Sequence, residues 1–185
     1  LGDERSGEAI AIDTAIPSLA WIGGELAERD WTLKLIVSSH GHWDHTGDNA
    51  AVSGATGADI AVHPLDRDAL VHPVPLWAPF EIPPSVPAVE LAEGGEIRFG
   101  ALRLRVLHTP GHTPGSVCLQ SVDDGWLFSG DTLFAGGWGC VDLPGGSDKF
   151  ASFHRAMRED GITRSFTGKL ETYSYVPPDD MALVA

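Results

Sequence analysis

The feature that most constrains this chain lies at residues 38–47, which read Ser-Ser-His-Gly-His-Trp-Asp-His-Thr-Gly. The apolar run at 33–37 precedes this stretch. An apolar run that ends in Ser, Gly and His is typical of a buried strand that reaches the edge of a sheet. Loops at strand ends are where rigid scaffolds present reactive side chains. We therefore expect residues 38–47, called the His loop below, to be the functional centre.

The His loop places metal-binding side chains at His40, His42, Asp44 and His45. Two imidazoles two residues apart can bind one cation from an irregular loop, which favours His40 and His42 as one pair. Asp44 and His45 follow at once and are too crowded for the same ion without strain. The alternative, a loop that is His-rich by coincidence, fits poorly because three of the chain's eight histidines lie here. The spacing therefore predicts two neighbouring metal positions.

Composition narrows the classes of partner. The 185 residues suffice for a substantial core, and we expect one domain over 1–185. Acidic residues outnumber basic ones 26 to 12, which gives a formal charge of −14. Nucleic acids and anionic membranes attract positive surfaces, so we expect neither as a partner. No apolar run has the length of a membrane span and no signal peptide is visible, which favours a cytoplasmic location.

Apolar periodicity outlines the remaining elements. We expect helices at about 17–26, 48–52 and 147–159, and further strands at 8–13, 60–62, 89–91, 96–99, 102–107, 117–119 and 126–128. Strand and helix alternate in the first half, whereas the second half has the pattern of hairpins. This predicts two packed sheets with helices outside.

A proline-rich segment interrupts this pattern. Six prolines between 73 and 87 disfavour a helix or a central strand, so we expect a surface excursion at about 72–88. Trp77 and Phe80 lie within it. They either cover a pocket or anchor the loop to the body of the domain.

Three motifs, in this order, resemble the metallo-β-lactamase-fold superfamily. They are the His loop, Thr-Pro-Gly-His-Thr-Pro-Gly at 109–115 and Ser-Gly-Asp-Thr-Leu-Phe at 129–134. Asp13, after a strand, resembles the family's earlier Asp turn, and the Gly-rich loop at 136–146 resembles the glyoxalase II-like (hydroxyacylglutathione hydrolase-like) branch. The resemblance implies an α+β fold, a four-layered αβ/βα sandwich whose metals lie at one edge between the sheets.

The resemblance also implies a set of ligands. The first metal would be held by His40, His42 and His112, and the second by Asp44 and His45, with Asp131 bridging the two. Zinc, as one or two ions, suits this set, with iron or manganese as alternatives. His108, beside the second motif, is either an orienting partner of a ligand or a packed loop residue. We interpret His63, His72 and His154 as structural or surface residues.

The sequence departs from the family pattern in three places. The chain nearly begins at the Asp13 strand, so either its natural N-terminus is missing or the first sheet lacks one or two strands. Cys140 stands where the glyoxalase-like loop usually carries Arg. Lys169 stands where the family has its last His ligand, and a protonated Lys cannot ligate a cation. We therefore expect a weak or empty second metal position. Only 13 residues follow Thr172, which leaves no room for the glutathione-binding helical domain of authentic glyoxalase II.

The leading functional interpretation is a metal-dependent hydrolase that acts on the thioester, ester or lactone bond of a small acyl substrate. Metal-bound hydroxide would attack the carbonyl group. Asp44 would orient this hydroxide or accept its proton, and Lys169 is a second candidate catalytic residue that would hold the oxyanion.

Two other classes stay open. A mononuclear-iron enzyme, like the persulfide dioxygenases of this superfamily, would use His40, His112 and Asp131 as a triad. A non-catalytic relative that keeps the fold as a binding module is favoured only by Lys169. A true β-lactamase is disfavoured by the glyoxalase-like loop and by the lack of a visible secretion signal.

Overall fold

A computed structural model of the chain describes residues 1–75, 78–134, 139–141, 146, 164–166 and 173–174. These residues form a mixed α/β architecture built on two sheets. The first sheet has the strand order β1 (Gly2–Asp3), β2 (Glu8–Ile12), β3 (Thr32–Val37), β4 (Asp59–Val62) and β5 (Val89–Glu90). Strands β2 to β5 are parallel, and β1 pairs antiparallel with β2.

Helices cover the outer face of the first sheet. They are α1 (Leu19–Arg29), α2 (Trp43–Thr46), α3 (Asn49–Thr56) and α4 (Arg67–Val71), with a short 3₁₀ helix at Pro64–Asp66. In α1, α3 and α4 one apolar residue each is buried, namely Ile22, Val52 and Leu70. Ile22 of α1, Val52 of α3 and Leu70 of α4 pack together with Ile36 of β3 and Ile60 of β4. The alternation of strands and helices predicted for this half is confirmed.

The second sheet has the order β11-β10-β9-β8-β7-β6. Its strands are β6 (Glu96–Phe99), β7 (Leu102–His108), β8 (Val117–Ser121), β9 (Trp126–Phe128), β10 (Arg164–Phe166) and β11 (Tyr173–Ser174). Strands β6 to β9 form the predicted antiparallel hairpins, and β10 pairs parallel with β9. A 3₁₀ helix at Gly130–Thr132 follows β9.

The main core lies between the sheets. Ile10 and Val37 from the first sheet pack against Phe99, Val106 and Leu119 from the second. Alternate residues of β6 point into this core, as the alternating sequence predicts. The prediction of two packed sheets in a mixed α/β fold is thereby confirmed.

Two predicted features lie partly or wholly outside the described residues. The described part of the proline-rich excursion, 72–75 and 78–88, contains no helix or strand. Trp77 and the helix predicted at 147–159 lie outside the described residues, as do His154 and Lys169. Among the residues that are described, no helix combines the length and apolar character needed to cross a membrane.

Candidate metal centre

Loops from both sheets meet at one edge of the molecule. Asp13 follows β2 and the His loop follows β3, and the carboxyl ends of parallel strands lie at the same edge of a sheet. In the second sheet, His112 lies in the loop after β7 and Asp131 lies after β9. The backbone N–H of Val117 donates a hydrogen bond of 2.8 Å to the carbonyl oxygen of Ser39. This bond joins the two sheets beside the His loop.

Three imidazoles converge at this edge. His40 Nε2 lies 3.1 Å from His42 Nδ1, which lies 2.9 Å from His112 Nε2. The rings meet nearly at right angles, with interplanar angles of 86° and 90°, so that nitrogen atoms and not ring faces approach each other. Zinc–nitrogen bonds of about 2.0–2.1 Å in a tetrahedron place the ligand atoms about 3.3 Å apart. Both nitrogen–nitrogen distances are close to that value.

A second group adjoins the three imidazoles. His45 Nε2 lies 3.2 Å from Asp131 Oδ1 and 3.9 Å from Asp44 Oδ2. The other Asp131 oxygen, Oδ2, lies 3.5 Å from His112 Nε2, so this carboxylate faces both groups. His40, His45 and Asp131 offer ligand atoms that all lie within 4.8 Å of one another. Asp44 lies at the margin, with 41% of its side chain exposed.

The six ligands proposed from the sequence are therefore neighbours in space. Five of them belong to two groups that could each hold an ion. The first group is His40, His42 and His112, and the second group is His40, His45 and Asp131. Asp44 contacts the second group without belonging to it. Which atom binds which ion stays a prediction.

The two groups differ in their electrostatics. Burial lowers the pKa of His42 below its ordinary value, and the neighbouring His112 imidazole lowers it further. Burial also opposes a charge on His45, but the carboxylates of Asp13 and Asp131 outweigh it and raise the pKa of His45 to about 10. Burial thus favours the neutral form of His42 in the first group, whereas His45 carries a proton when no metal replaces it.

Asp13 holds His45 in place. Its Oδ2 accepts a hydrogen bond of 2.9 Å from His45 Nδ1, which turns Nε2 towards Asp131. The same carboxylate accepts bonds of 2.7 Å from both the backbone N–H and the hydroxyl of Ser39. Asp13 has a φ of 57°, a left-handed conformation that few residues other than Gly adopt. The predicted Asp turn therefore orients a ligand, and sequence reasoning had not assigned it this role.

The other imidazoles are oriented in the same way. The hydroxyl of Ser39 lies 3.1 Å from His40 Nδ1, and the carbonyl oxygen of Cys140 accepts a bond of 2.6 Å from His112 Nδ1. Each bond leaves Nε2 of its ring turned towards the cluster. Metal-binding histidines almost always donate their other ring N–H in this manner.

These residues fit a divalent cation. His45 Nε2 is buried, and it makes no hydrogen bond in the described part of the chain although Asp131 is close. A buried polar atom without a partner is costly, and a cation removes that cost. When Nδ1 of His40 and Nδ1 of His112 donate to Ser39 and Cys140, the Nε2 atoms of both rings offer lone pairs to the cluster. The chemistry of the donor set is therefore that of a metal site.

Gly130 allows the loop after β9 to pass close to the His loop. It has a φ of +50°, and a Cβ at this position would lie 2.8 Å from Ser39 Cβ. Both the positive φ and the lack of space for a Cβ favour glycine at this position. The backbone before Asp131 can therefore pack directly against the His loop.

His108 is a packed loop residue in this structure. Its Nε2 lies 2.9 Å from the carbonyl oxygen of Pro114, and its ring stacks on His63 with centroids 4.0 Å apart. Neither contact involves one of the proposed ligands. The packed-residue interpretation of His108 therefore fits better than an orienting role.

The described end of the excursion reaches the His loop. The ring of Phe80 meets that of Trp43 edge to face, with centroids 5.8 Å apart. Phe80 keeps 44% of its surface exposed. This contact agrees with the anchoring role considered for the aromatic residues of the excursion.

Asp66 is a residue that sequence reasoning missed. It is buried, and it accepts hydrogen bonds from both the His loop and the loop that carries His112. Nothing in the local sequence signals this burial, because the partners of Asp66 lie 25 to 49 residues away.

Sequence comparison identifies relatives. A family model described as the metallo-beta-lactamase superfamily matches residues 4–167. An uncharacterized protein of Aquifex aeolicus (strain VF5) is 38% identical over 152 residues, which cover 80% of this chain and 70% of that protein. A hydroxyacylglutathione hydrolase of Maricaulis maris (strain MCS10) is 36% identical over 137 residues, 74% of this chain but only 47% of that enzyme. The chain thus spans about half the length of this hydrolase.

Solved structures agree with the fold. The BLEG-1 B3 metallo-beta-lactamase has a TM-score of 0.76 at 26% identity, covering 93% of this chain and 85% of its own. ETHE1 from Myxococcus xanthus has a TM-score of 0.72 at 26% identity, and the match covers 95% of this chain and 72% of ETHE1. TTHA1623, solved in a di-iron-bound form, has a TM-score of 0.73 at 32% identity, covering 87% and 81%. With the family model covering most of its residues, this chain belongs to the metallo-β-lactamase superfamily.

Proposed function

We propose that this chain is a metal-dependent hydrolase of a thioester, ester or lactone. One observation carries the proposal: three imidazoles converge, with nitrogen atoms 3.1 and 2.9 Å apart, beside a buried His45 and the Asp131 carboxylate. The similarity to a hydroxyacylglutathione hydrolase supports this reaction class.

The ligands would divide between two positions. His40, His42 and His112 would hold the first metal, and Asp44 and His45 the second, with Asp131 between them. Zinc suits these nitrogen and oxygen donors, and the di-iron form of TTHA1623 supports iron as an alternative. A bound divalent metal lowers the pKa of water towards neutrality and polarises a carbonyl oxygen.

The chain's own residues would supply orientation and proton transfer. Asp13 fixes the ring of His45 through Nδ1, so that Nε2 keeps one direction. Asp44 is the most accessible carboxylate of the group, and it would accept a proton from an incoming water. We also propose that Lys169, outside the described residues, binds the oxyanion of the substrate.

We further propose a small, neutral or weakly charged acyl substrate and a cytoplasmic location. The formal charge of −14 opposes nucleic acids and anionic membranes as partners. Substrates that carry several negative charges would also be repelled at long range.

A mononuclear-iron dioxygenase is the second candidate. The likeness to ETHE1 fits this alternative. His40, His112 and Asp131 would then form a two-histidine, one-carboxylate triad, and Asp131 Oδ2 lies 3.5 Å from His112 Nε2.

One experiment separates these candidates. Metal content per chain is measured after purification, and the same protein is assayed with thioesters, lactones, a β-lactam and a persulfide. Hydrolysis of a thioester or lactone without oxygen uptake supports the hydrolase. Iron with oxygen uptake on the persulfide supports the dioxygenase instead. If the protein takes up no metal and turns over none of these compounds, the result supports a non-catalytic binding module.

A further inference from the structure

The carboxylate of Asp66 joins the two loops that carry the three imidazoles. Its Oδ2 accepts a hydrogen bond of 2.8 Å from the backbone N–H of Gly41 and one of 2.6 Å from the hydroxyl of Thr113. Its Oδ1 accepts a bond of 2.7 Å from the backbone N–H of Gly115. Asp66 itself is only 3% exposed. Three donors from two separate loops therefore converge on one buried anion.

The positions of these donors relate them to the imidazoles. Gly41 lies between His40 and His42, and Thr113 directly follows His112. Each bond to Asp66 thus fixes the backbone beside a proposed ligand. Hydrogen bonds to a charged acceptor are shorter and stronger than neutral ones, so this three-point contact holds its geometry well.

Two glycines provide the space for the carboxylate. A Cβ on Gly115 would lie 2.6 Å from Asp66 Cγ, and a Cβ on Gly41 would lie 3.3 Å from Asp66 Cβ and 2.7 Å from Ala69 Cβ. Real side chains do not approach so closely at Gly115. Both loops therefore lack a side chain at the point where each passes Asp66.

We propose that Asp66 is a positioning residue that fixes the separation of the two loops and so preassembles the three-imidazole site. This inference rests on the metal site of the proposed function. Loops that are held in the binding geometry before the metal arrives lose little conformational freedom on binding. Without Asp66 the same three nitrogens would have to be brought together at each binding event, and the affinity for metal would fall.

The test measures binding of cobalt(II), whose visible absorption reports the number and geometry of its ligands. Asp66→Asn keeps the size of the side chain but replaces one acceptor oxygen with an NH₂ group. We expect this variant to bind cobalt 10- to 100-fold more weakly, the range found when partners of ligand side chains are removed, and to show an altered absorption spectrum.

Leu70→Ala provides the matched control. Leu70 is fully buried four residues after Asp66, and its side chain packs in the apolar cluster between the helices and the first sheet. Its removal destabilises the protein through a cavity, so the midpoint of denaturation should fall. The cobalt affinity and spectrum of Leu70→Ala should stay those of the unmodified protein.

Gly115→Ala tests the same contact from the other side. The added methyl group displaces the Asp66 carboxylate, so this variant should reproduce the weaker affinity of Asp66→Asn. The double variant should bind no more weakly than Asp66→Asn alone, because both changes break one contact. If Asp66→Asn does not fold, Thr113→Val removes a single donor and should weaken cobalt binding by a smaller factor.

Three outcomes would overturn the inference. Folded Asp66→Asn with unchanged affinity and spectrum would show that Asp66 does not position the ligands. An equal loss of affinity in Leu70→Ala would reduce the effect to general destabilisation. Unmodified protein that binds no cobalt would refute the proposed function as well, and only this outcome refutes both.

Discussion

The two candidate metal positions both lie beside the Asp131 carboxylate but are built from different chemistry. The first consists of the imidazoles of His40, His42 and His112, and burial keeps His42 neutral by lowering its pKa. The second is centred on His45, which has carboxylates near both ring nitrogens and a pKa raised to about 10. Two neighbouring histidines therefore have pKa values shifted in opposite directions, downward for His42 and upward for His45.

Because of this difference, metal binding at the second position competes with protonation of His45. A metal that enters the first position meets His42, whose pKa is lowered by burial, so that this ring has no proton to lose near neutral pH. A metal that enters the second position must displace a proton from His45, because metal ligands bind in their deprotonated form. We therefore expect the first position to fill more readily at neutral pH.

The largest effect is expected from removing a ligand of the first position. His112→Ala deletes one of three imidazoles and also the one that faces Asp131. Most of the bound metal and activity should be lost, because a three-ligand site has no spare donor. Metal content per chain and the rate of hydrolysis measure this effect.

His63→Ala is the control for this loss. His63 stacks on His108 and belongs to neither group of ligands. Its removal should leave metal content unchanged. Full metal content in His112→Ala would contradict the assignment of the first position.

The next effect concerns the occupancy of the second position. Lys169 lies outside the described residues and stands in the sequence where the family has a His ligand. Lys169→His should raise the metal content from about one ion towards two ions per chain, because Lys has no lone pair to offer when protonated. The matched change Lys34→His alters a half-exposed surface lysine near Glu8 and should leave the content unchanged. Unmodified protein that already binds two ions tightly would contradict this prediction.

Local patterns predicted which side chains of the His loop lie together. His40, His42 and His45 lie within six residues, so their proximity required no knowledge of the fold. His112 and Asp131 were assigned through the family resemblance, and the structure places both beside the His loop. Strands β2 to β4 and helices α1 and α3 also followed from apolar spacing, whereas β1, α2 and α4 were not predicted.

Long-range polar contacts were not predictable in the same way. Asp66 reads as one more acidic residue in a chain that has 26 of them, and only its burial between two loops reveals a role. Asp13 was recognised as a turn, but its bond to His45 spans 32 residues. Such partners depend on how strands are ordered in a sheet, and apolar periodicity carries no information on that order.

The smallest expected effect is a pH dependence of stability in the metal-free protein. Folding raises the pKa of His45 from 6.5 to about 10, so the folded state binds this proton more tightly than the unfolded chain. The resulting stabilisation is fully present below pH 6.5 and is lost as pH rises through about 10. The slope from one such group is at most about 1.4 kcal/mol per pH unit. Denaturant unfolding with a chelator present measures it.

Asp13→Asn isolates the contribution of His45. Burial raises the pKa of the Cys118 thiol from 9.0 to about 11, which adds a loss of the same sign above pH 9.0. This thiol titrates alike in both proteins, so the difference between their curves reports His45. Without the Asp13 charge the pKa of His45 should fall, and the free energy of unfolding should decline less between pH 7 and 10 than in the unmodified protein. Parallel curves would show that the proton on His45 contributes nothing, and the contrast between the two metal positions would then rest on geometry alone.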